Sequence, residues 1–193
     1  MRETTDHPGP GAPRKLPRRR LIEAAAATAL VLAGSVVAVA RTRGYSLRTG
    51  RKLAVLSPWQ FVVIEHAARR VAAPDREGDA SIPSADELDV AAFVDDWTAR
   101  LPETMRRDLG RFLAYVEHIA PLRAGFVTRF TRLEAAGQDR VLAALEASSS
   151  DLLRAGFDGL RALVFLGYYR DPRTWRIVGY DGPLVGRPQS GWQ

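Results

Sequence analysis

The chain has 193 residues, 46% of them hydrophobic, which suits one packed domain with an N-terminal extension and excludes global disorder. Its net charge of +6 is unevenly placed: residues 1–52 carry eleven Lys or Arg against three Asp or Glu, a balance of +8, and the other 141 carry seventeen against nineteen, a balance of −2. A near-neutral body lacks the electrostatic footprint of a nucleic-acid binder, and the absence of cysteine excludes disulfides, thiolate metal sites, iron–sulfur clusters and covalently attached haem.

Residues 3–17 are rich in Pro, Gly, Thr and charge and read as disordered. Arg18-Arg19-Arg20-Leu21-Ile22 follows, then an apolar, Ala-rich run to Ala40 interrupted only by Glu23, Thr28, Gly34 and Ser35. A basic start, an apolar stretch and Ala38-Val39-Ala40 at its end describe a secretory signal with a small-residue cleavage site. The pair Arg18-Arg19, one free position and two apolar residues resemble a twin-arginine signal, which exports proteins already folded. The alternative is a retained transmembrane helix, since twenty residues at about 1.5 Å rise per residue just span the hydrocarbon core. Arginines on both flanks leave the orientation undecided by the positive-inside rule. The expected organisation is a leader over 1–40, a basic linker over 41–55, a folded body over 56–186 and a tail over 187–193.

The body reads as helical. Ser57 suits an N-cap and Pro58 a first helical position, after which Phe61, Ile64, Ala68 and Val71 recur at helical spacing until Pro74. Residues 74–83 read as a polar loop. Ser84 and Glu87 fit a capping box for a second helix, with Val90, Phe93, Val94, Trp97 and Leu101 on one face. Pro102 opens a third, striped by Leu109, Phe112, Leu113, Val116 and Ala120, with Pro121 as its end and Gly125 loosening the chain. Gln138, Val141, Leu142 and Leu145 mark a fourth, which Ser148 to Asp151 break or recap.

The last helix carries Leu153, Phe157, Leu160 and Val164, and Leu163, Phe165 and Leu166 widen its apolar face, which predicts a central position. Gly156 and Gly159 inside it predict close backbone packing. No segment shows sustained two-residue alternation, so the expected fold is an all-α bundle of about five helices.

From Gly167 the character changes. Tyr168, Tyr169, Pro172, Trp175, Gly179, Tyr180, Gly182 and Pro183 lie on a stretch too rich in Gly and Pro for another helix and too aromatic for a disordered tail. These side chains either cover the chain's own core, the favoured reading, or offer anchors to a partner.

No catalytic or cofactor motif assembles: there is no Gly-x-Ser-x-Gly elbow, Walker loop or Gly-x-Gly-x-x-Gly. Glu65-His66 and Glu117-His118 are adjacent pairs, which point about 100° apart on a helix, unlike the Glu-x-x-His of di-iron bundles. They read as solvated or hydrogen-bonded histidines, and Asp95-Asp96 and Arg106-Arg107-Asp108 as wet helix faces.

Leu56-Ser57-Pro58-x-x-Phe61, Leu88-Asp89-Val90 with Phe93-Val94-Asp95, Leu101-Pro102 and Arg129-Phe130-Thr131-Arg132-Leu133 resemble segments of the gluconate 2-dehydrogenase subunit 3 family. The most specific resemblance is Gly167-Tyr168-Tyr169-x-Asp171-Pro172-x-Thr174-Trp175, then Gly179-Tyr180-Asp181-Gly182-Pro183. That resemblance implies a non-catalytic small subunit with no cofactor, metal or catalytic residue of its own. Its partners would be a large flavoprotein of the glucose–methanol–choline type that binds FAD, a cytochrome subunit, the twin-arginine translocase and the membrane through the leader. Its place would be the periplasm or the outer face of the cytoplasmic membrane. A membrane-anchored structural bundle without a redox partner is the alternative.

Overall fold

The Ser57-Pro58 start behaves as the sequence predicts. In the computed structural model, which describes residues 44–47, 51–72 and 81–182, helix α1 spans Pro58–Val71. The Gln60 side chain reaches back to accept from the Ser57 backbone N–H and hydroxyl, both at 2.8 Å, so an otherwise orphaned donor at the helix entry is satisfied. After α1 come α2 (Val90–Thr98), α3 (Glu103–His118), a one-turn α4 (Ala120–Arg123), a 3-10 turn (Phe130–Arg132), α5 (Ala135–Glu146), α6 (Asp151–Tyr168) and a C-terminal 3-10 segment (Pro172–Val178). Among the described residues there is no strand, and the fold is an all-α bundle.

Helix α1 is the hub. It packs against α2, α3, α5, α6 and the 130–132 turn, and Val63, Ile64 and Ala67 are fully buried. The sequence pattern points instead to α6 for the central place. That helix does bury Phe157, Leu160, Val164 and Tyr168 against its neighbours, but Leu152 and Leu166 stay exposed. Of the residues that widen its apolar face, Leu163 packs against the core and Phe165 is half-buried, and only Leu166 faces solvent. The α5 stripe is as expected, with Gln138, Val141, Leu142 and Leu145 all buried.

The Ser84–Glu87 box forms in full: the Ser84 N–H donates to the Glu87 carboxylate at 2.8 Å and the Glu87 N–H to Ser84 Oγ at 3.2 Å. It closes a single turn, however. Asp89 takes a left-handed conformation (φ 51°), the Val90 N–H returns to the Ala85 carbonyl and the Asp89 N–H to Asp86, which is the hydrogen-bond pattern that terminates a helix. Continuous helix α2 starts only at Val90. Likewise Pro121 does not end α3; it lies inside α4, where its missing N–H costs no helix bond.

The glycines of α6 divide. A Cβ on Gly156 would meet the Phe112 ring at 2.4 Å, so here the helices α3 and α6 approach too closely for any side chain. Nothing lies within 4 Å of such an atom on Gly159, so close packing does not account for that glycine.

The chain ahead of α1 belongs to the packed body. Leu47 and Leu53 pack against the core and Leu56 is part of it. The Arg18-Arg19 and Ala38–Ala40 signal, residues 187–193 and Pro183 lie outside the described residues, as does most of the 74–83 loop. Among the described residues no helix is long and apolar enough to cross a membrane.

Candidate partner-docking surface

The strap candidates separate into an inner, stapling set and an outer, exposed set. Tyr168, the last residue of α6, is buried, and its hydroxyl donates to the Pro83 carbonyl at 2.9 Å. Burial first, then the neighbouring Tyr169 and Glu87, raises its pKa, which keeps the hydroxyl a donor. Tyr169 is half-buried, its ring edge-on to Tyr168 at 5.3 Å and tilted against Phe165 at 5.6 Å.

Asp171 then caps the 3-10 segment by accepting from the Arg173 N–H at 2.9 Å, while Arg173 also grips the same carboxylate through Nε and Nη2 at 2.9 and 2.8 Å. Those side-chain and backbone bonds from Arg173 hold the Asp171 carboxyl at about 2, below its ordinary 3.8. Pro172 occupies the first position of the segment and is exposed. Thr174 is fully buried, its hydroxyl donating to the Asp171 carbonyl at 2.8 Å and lying 3.3 Å from that of Tyr168.

The Trp175 indole N–H donates to the Tyr169 carbonyl at 2.8 Å. The Trp175 ring is half-buried and meets Tyr180 at 5.0 Å, edge to face. Gly179 (φ 64°) supplies the left-handed turn that brings Tyr180 back over Trp175. Gly182 also has a positive φ. Two further ties hold the strap from outside: Arg176 bonds the Ser81 hydroxyl, and Arg170 donates to the Leu88 carbonyl at 2.8 Å while stacking over Phe93.

With its inner side fixed by this set, the strap turns Ile177, Val178 and Tyr180 to solvent, and Val178 is 58% exposed. Self-packing and exposure to solvent thus fall to different residues of one segment. Tyr168, Thr174 and Trp175 brace; Ile177, Val178 and Tyr180 present.

A second feature, a polar cleft of about 460 Å³, is lined by Tyr45, Glu65, His66, Arg69, Asp86, Arg129 and Arg132 among others. Three of its charged groups, Glu65, Arg69 and Asp86, are engaged with one another. Arg69 forks onto Asp86 at 2.8–2.9 Å and lies 3.4 Å from Glu65. The Gln138 amide N–H₂ lies 2.8 Å from His66 Nδ1 and 3.3 Å from the Phe130 carbonyl, so Nδ1 is the acceptor and the ring is neutral. Burial, then the Arg69 charge, lowers the His66 pKa below its ordinary 6.5. A hydrogen-bonded histidine is what the sequence predicts there. Among the described residues no group of three or more His, Asp or Glu is placed to hold a metal ion.

Two carboxylates are buried, one of them against the sequence expectation. Asp95, expected on a wet face, is buried and accepts from the backbone N–H groups of Ala54, Val55 and Leu56 at 2.6, 3.1 and 2.9 Å. Glu117 is fully buried. It accepts from Tyr45 at 2.6 Å and from the Thr131 hydroxyl and N–H at 2.7 and 3.1 Å, with Arg129 Nε at 3.5 Å. Burial, then the bond to Glu117, pushes the Tyr45 hydroxyl well above its ordinary pKa. Arg129 stacks on the Tyr45 ring at 4.1 Å. The signal that marks both is position: Asp95 follows Ala91 by four and Glu117 follows Leu113 by four, so each sits on its helix's buried side.

The family model of gluconate 2-dehydrogenase subunit 3 matches residues 58–182, from the first residue of α1 to the last described glycine of the strap. The chain belongs to that family. No curated protein and no solved structure matches it. As a subunit 3 protein it is, by the family's description, part of a dehydrogenase complex, and the match takes in both the bundle and the strap's stapling and exposed residues. It begins after Tyr45 and the three N–H groups that Asp95 holds, so the ties from the leader side lie outside it.

Proposed function

We propose that this subunit 3 protein is the non-catalytic small subunit of an FAD-dependent sugar or alcohol dehydrogenase of the glucose–methanol–choline type. It carries the folded flavoprotein through the twin-arginine route and stabilises it afterwards. FAD belongs to the large subunit, a cytochrome passes the electrons on, and the complex works in the periplasm or at the outer face of the cytoplasmic membrane.

The observation that carries this reading is the strap. Exposing Ile177, Val178 and Tyr180 together on a segment stapled by at least five side-chain hydrogen bonds makes little sense for stability, since only the inner face needs cover. A rigid apolar platform with a tyrosine at its edge is what a protein partner uses, because few rotamers are lost when it binds. The leader supports the transport half: a flavin inserted before export requires a route for folded proteins, and Arg18-Arg19 supplies its sequence mark.

The test is fractionation of the native host with Arg18→Lys and Arg19→Lys in this chain. The expected result is that the flavoprotein stays in the cytoplasm together with this subunit. A flavoprotein that reaches the periplasm unaided rejects the carrier role.

A further inference from the structure

We propose that residues 119–132 form a surface that rests on an anionic lipid bilayer, beside the point where the leader joins the body. The proposal builds on the reading of residues 21–40 as a membrane-engaging leader, but it concerns residues that reading leaves unassigned.

The first observation is composition at the surface. Over these fourteen residues there are three arginines and no acidic residue, in a body whose overall balance is negative. Arg123 and Arg132 are exposed, while Arg129 is turned inward onto Glu117. The same stretch exposes three large apolar side chains, Ile119 at 44%, Leu122 at 45% and Val127 at 94%. Ile119, Leu122 and Arg123 are three and four residues apart across α4, hence on one face. The Phe126 N–H returns to the Pro121 carbonyl at 2.9 Å, which folds the Val127 loop back against α4. Exposed aliphatic tips beside two exposed arginines, with Glu134 the first carboxylate after them in the chain, suit a surface where apolar groups enter the headgroup boundary and cations meet lipid phosphates.

The second observation is where the chain enters. Arg129 Nη2 contacts the Gly44 carbonyl at 3.4 Å, and a Cβ on Gly44 would lie 4.0 Å from Arg132 Nη2. Tyr45, bonded to Glu117 and covered by Arg129, fixes this entry point to the same segment. The apolar run ends at Ala40, four residues upstream, and four residues span at most about 14 Å. The described chain thus begins at the segment that the proposal assigns to the bilayer. A protein partner would not need the arginines next to the leader junction; a bilayer uses both.

The chain has no cysteine, so Val127→Cys accepts one environment-sensitive dye in the full-length protein, and Leu152→Cys, exposed at the start of α6, serves as the control. The proposal expects a blue shift at position 127 on vesicles containing phosphatidylglycerol and a smaller one on pure phosphatidylcholine. It expects no shift at 152, and loss of the 127 shift with Arg123→Glu and Arg132→Glu. If the chain floats with vesicles but the dye at 127 stays in water, the proposal fails and the leader reading survives. A chain that does not float with either vesicle ends both. Equal shifts at 127 and 152, or a shift at 127 produced by the purified flavoprotein without lipid, also overturn it.

Discussion

The indole N–H of Trp175 donates to the main-chain carbonyl of Tyr169 at 2.8 Å, across the junction where α6 ends and the strap begins. That carbonyl is among the last of the helix, which have no partner within it, so one side chain both finishes the helix and fixes the strap's direction. Trp175→Phe keeps the ring contact with Tyr180 and removes only the bond. The expected loss is about 1 kcal/mol, read as a lower denaturant midpoint at unchanged slope.

The outer face should behave in the opposite way. Val178→Asp and Tyr180→Ala change exposed positions and should shift stability by no more than about 0.5 kcal/mol. Both should reduce recovery of the flavoprotein in pull-downs, Val178→Asp the more because it buries a charge in the interface. Unchanged recovery with either variant removes the strap as the docking platform.

Two glycines one turn apart offer a test of sign. Gly156→Ala drives a methyl into the Phe112 ring and should destabilise by about 1–3 kcal/mol. Gly159→Ala meets open space at an ordinary helical φ and should stabilise by about 0.5–1 kcal/mol. A thermal midpoint that rises with Gly156→Ala would contradict the close α3–α6 approach there, and one that falls with Gly159→Ala would contradict the open space at that position.

The helices were legible because their apolar stripes are clean. Val141, Leu142 and Leu145 alternate with Asp139, Arg140 and Glu146, and the core follows that pattern. The Gly and Pro content marked a change of character after α6 but not its form: Gly167 and Tyr168 still belong to α6, a 3-10 helix spans Pro172–Val178 where no further helix was expected, and no periodicity tells which of Trp175 and Val178 turns inward. Asp95 and Glu117 were not legible as ties. Their partners, Ala54 to Leu56 and Tyr45, lie about 40 and 72 residues away, and a backbone N–H carries no sequence label. The hub role of α1 was hidden as well, because its burial depends on neighbours on every side rather than on its own hydrophobicity.

Removing either carboxylate should be costly. Asp95→Ala leaves the N–H of buried Leu56, and those of Ala54 and Val55, without their acceptor and should lower stability by about 1–3 kcal/mol. Glu117→Ala removes the acceptor of Tyr45 and Thr131 and the buried charge beside Arg129, and should cost about 3–5 kcal/mol. Tyr45→Phe, which removes one bond of the same cluster, should cost about 1–2 kcal/mol. Chemical denaturation of the three variants orders them.

His66 predicts a pH dependence. Its folded pKa lies below 6.5, so the unfolded chain takes up the proton first as pH falls. Its stabilising contribution is therefore complete above about pH 6.5 and declines below it. Asp171 acts lower, its contribution present above its ordinary 3.8 and lost as pH falls through about 2. His66→Gln should flatten the stability profile between neutral and mildly acid pH, and an unaltered slope would show that burial and the Arg69 charge do not hold the ring's pKa down.

The proposed partnership with a flavoprotein is tested at once by a pull-down of the C-terminally tagged chain from its own host, followed by an absorbance spectrum. A yellow co-purifying subunit with flavin bands is expected, diminished by Val178→Asp. A colourless chain recovered alone from the membrane would overturn the partnership and leave a membrane-anchored structural bundle in its place.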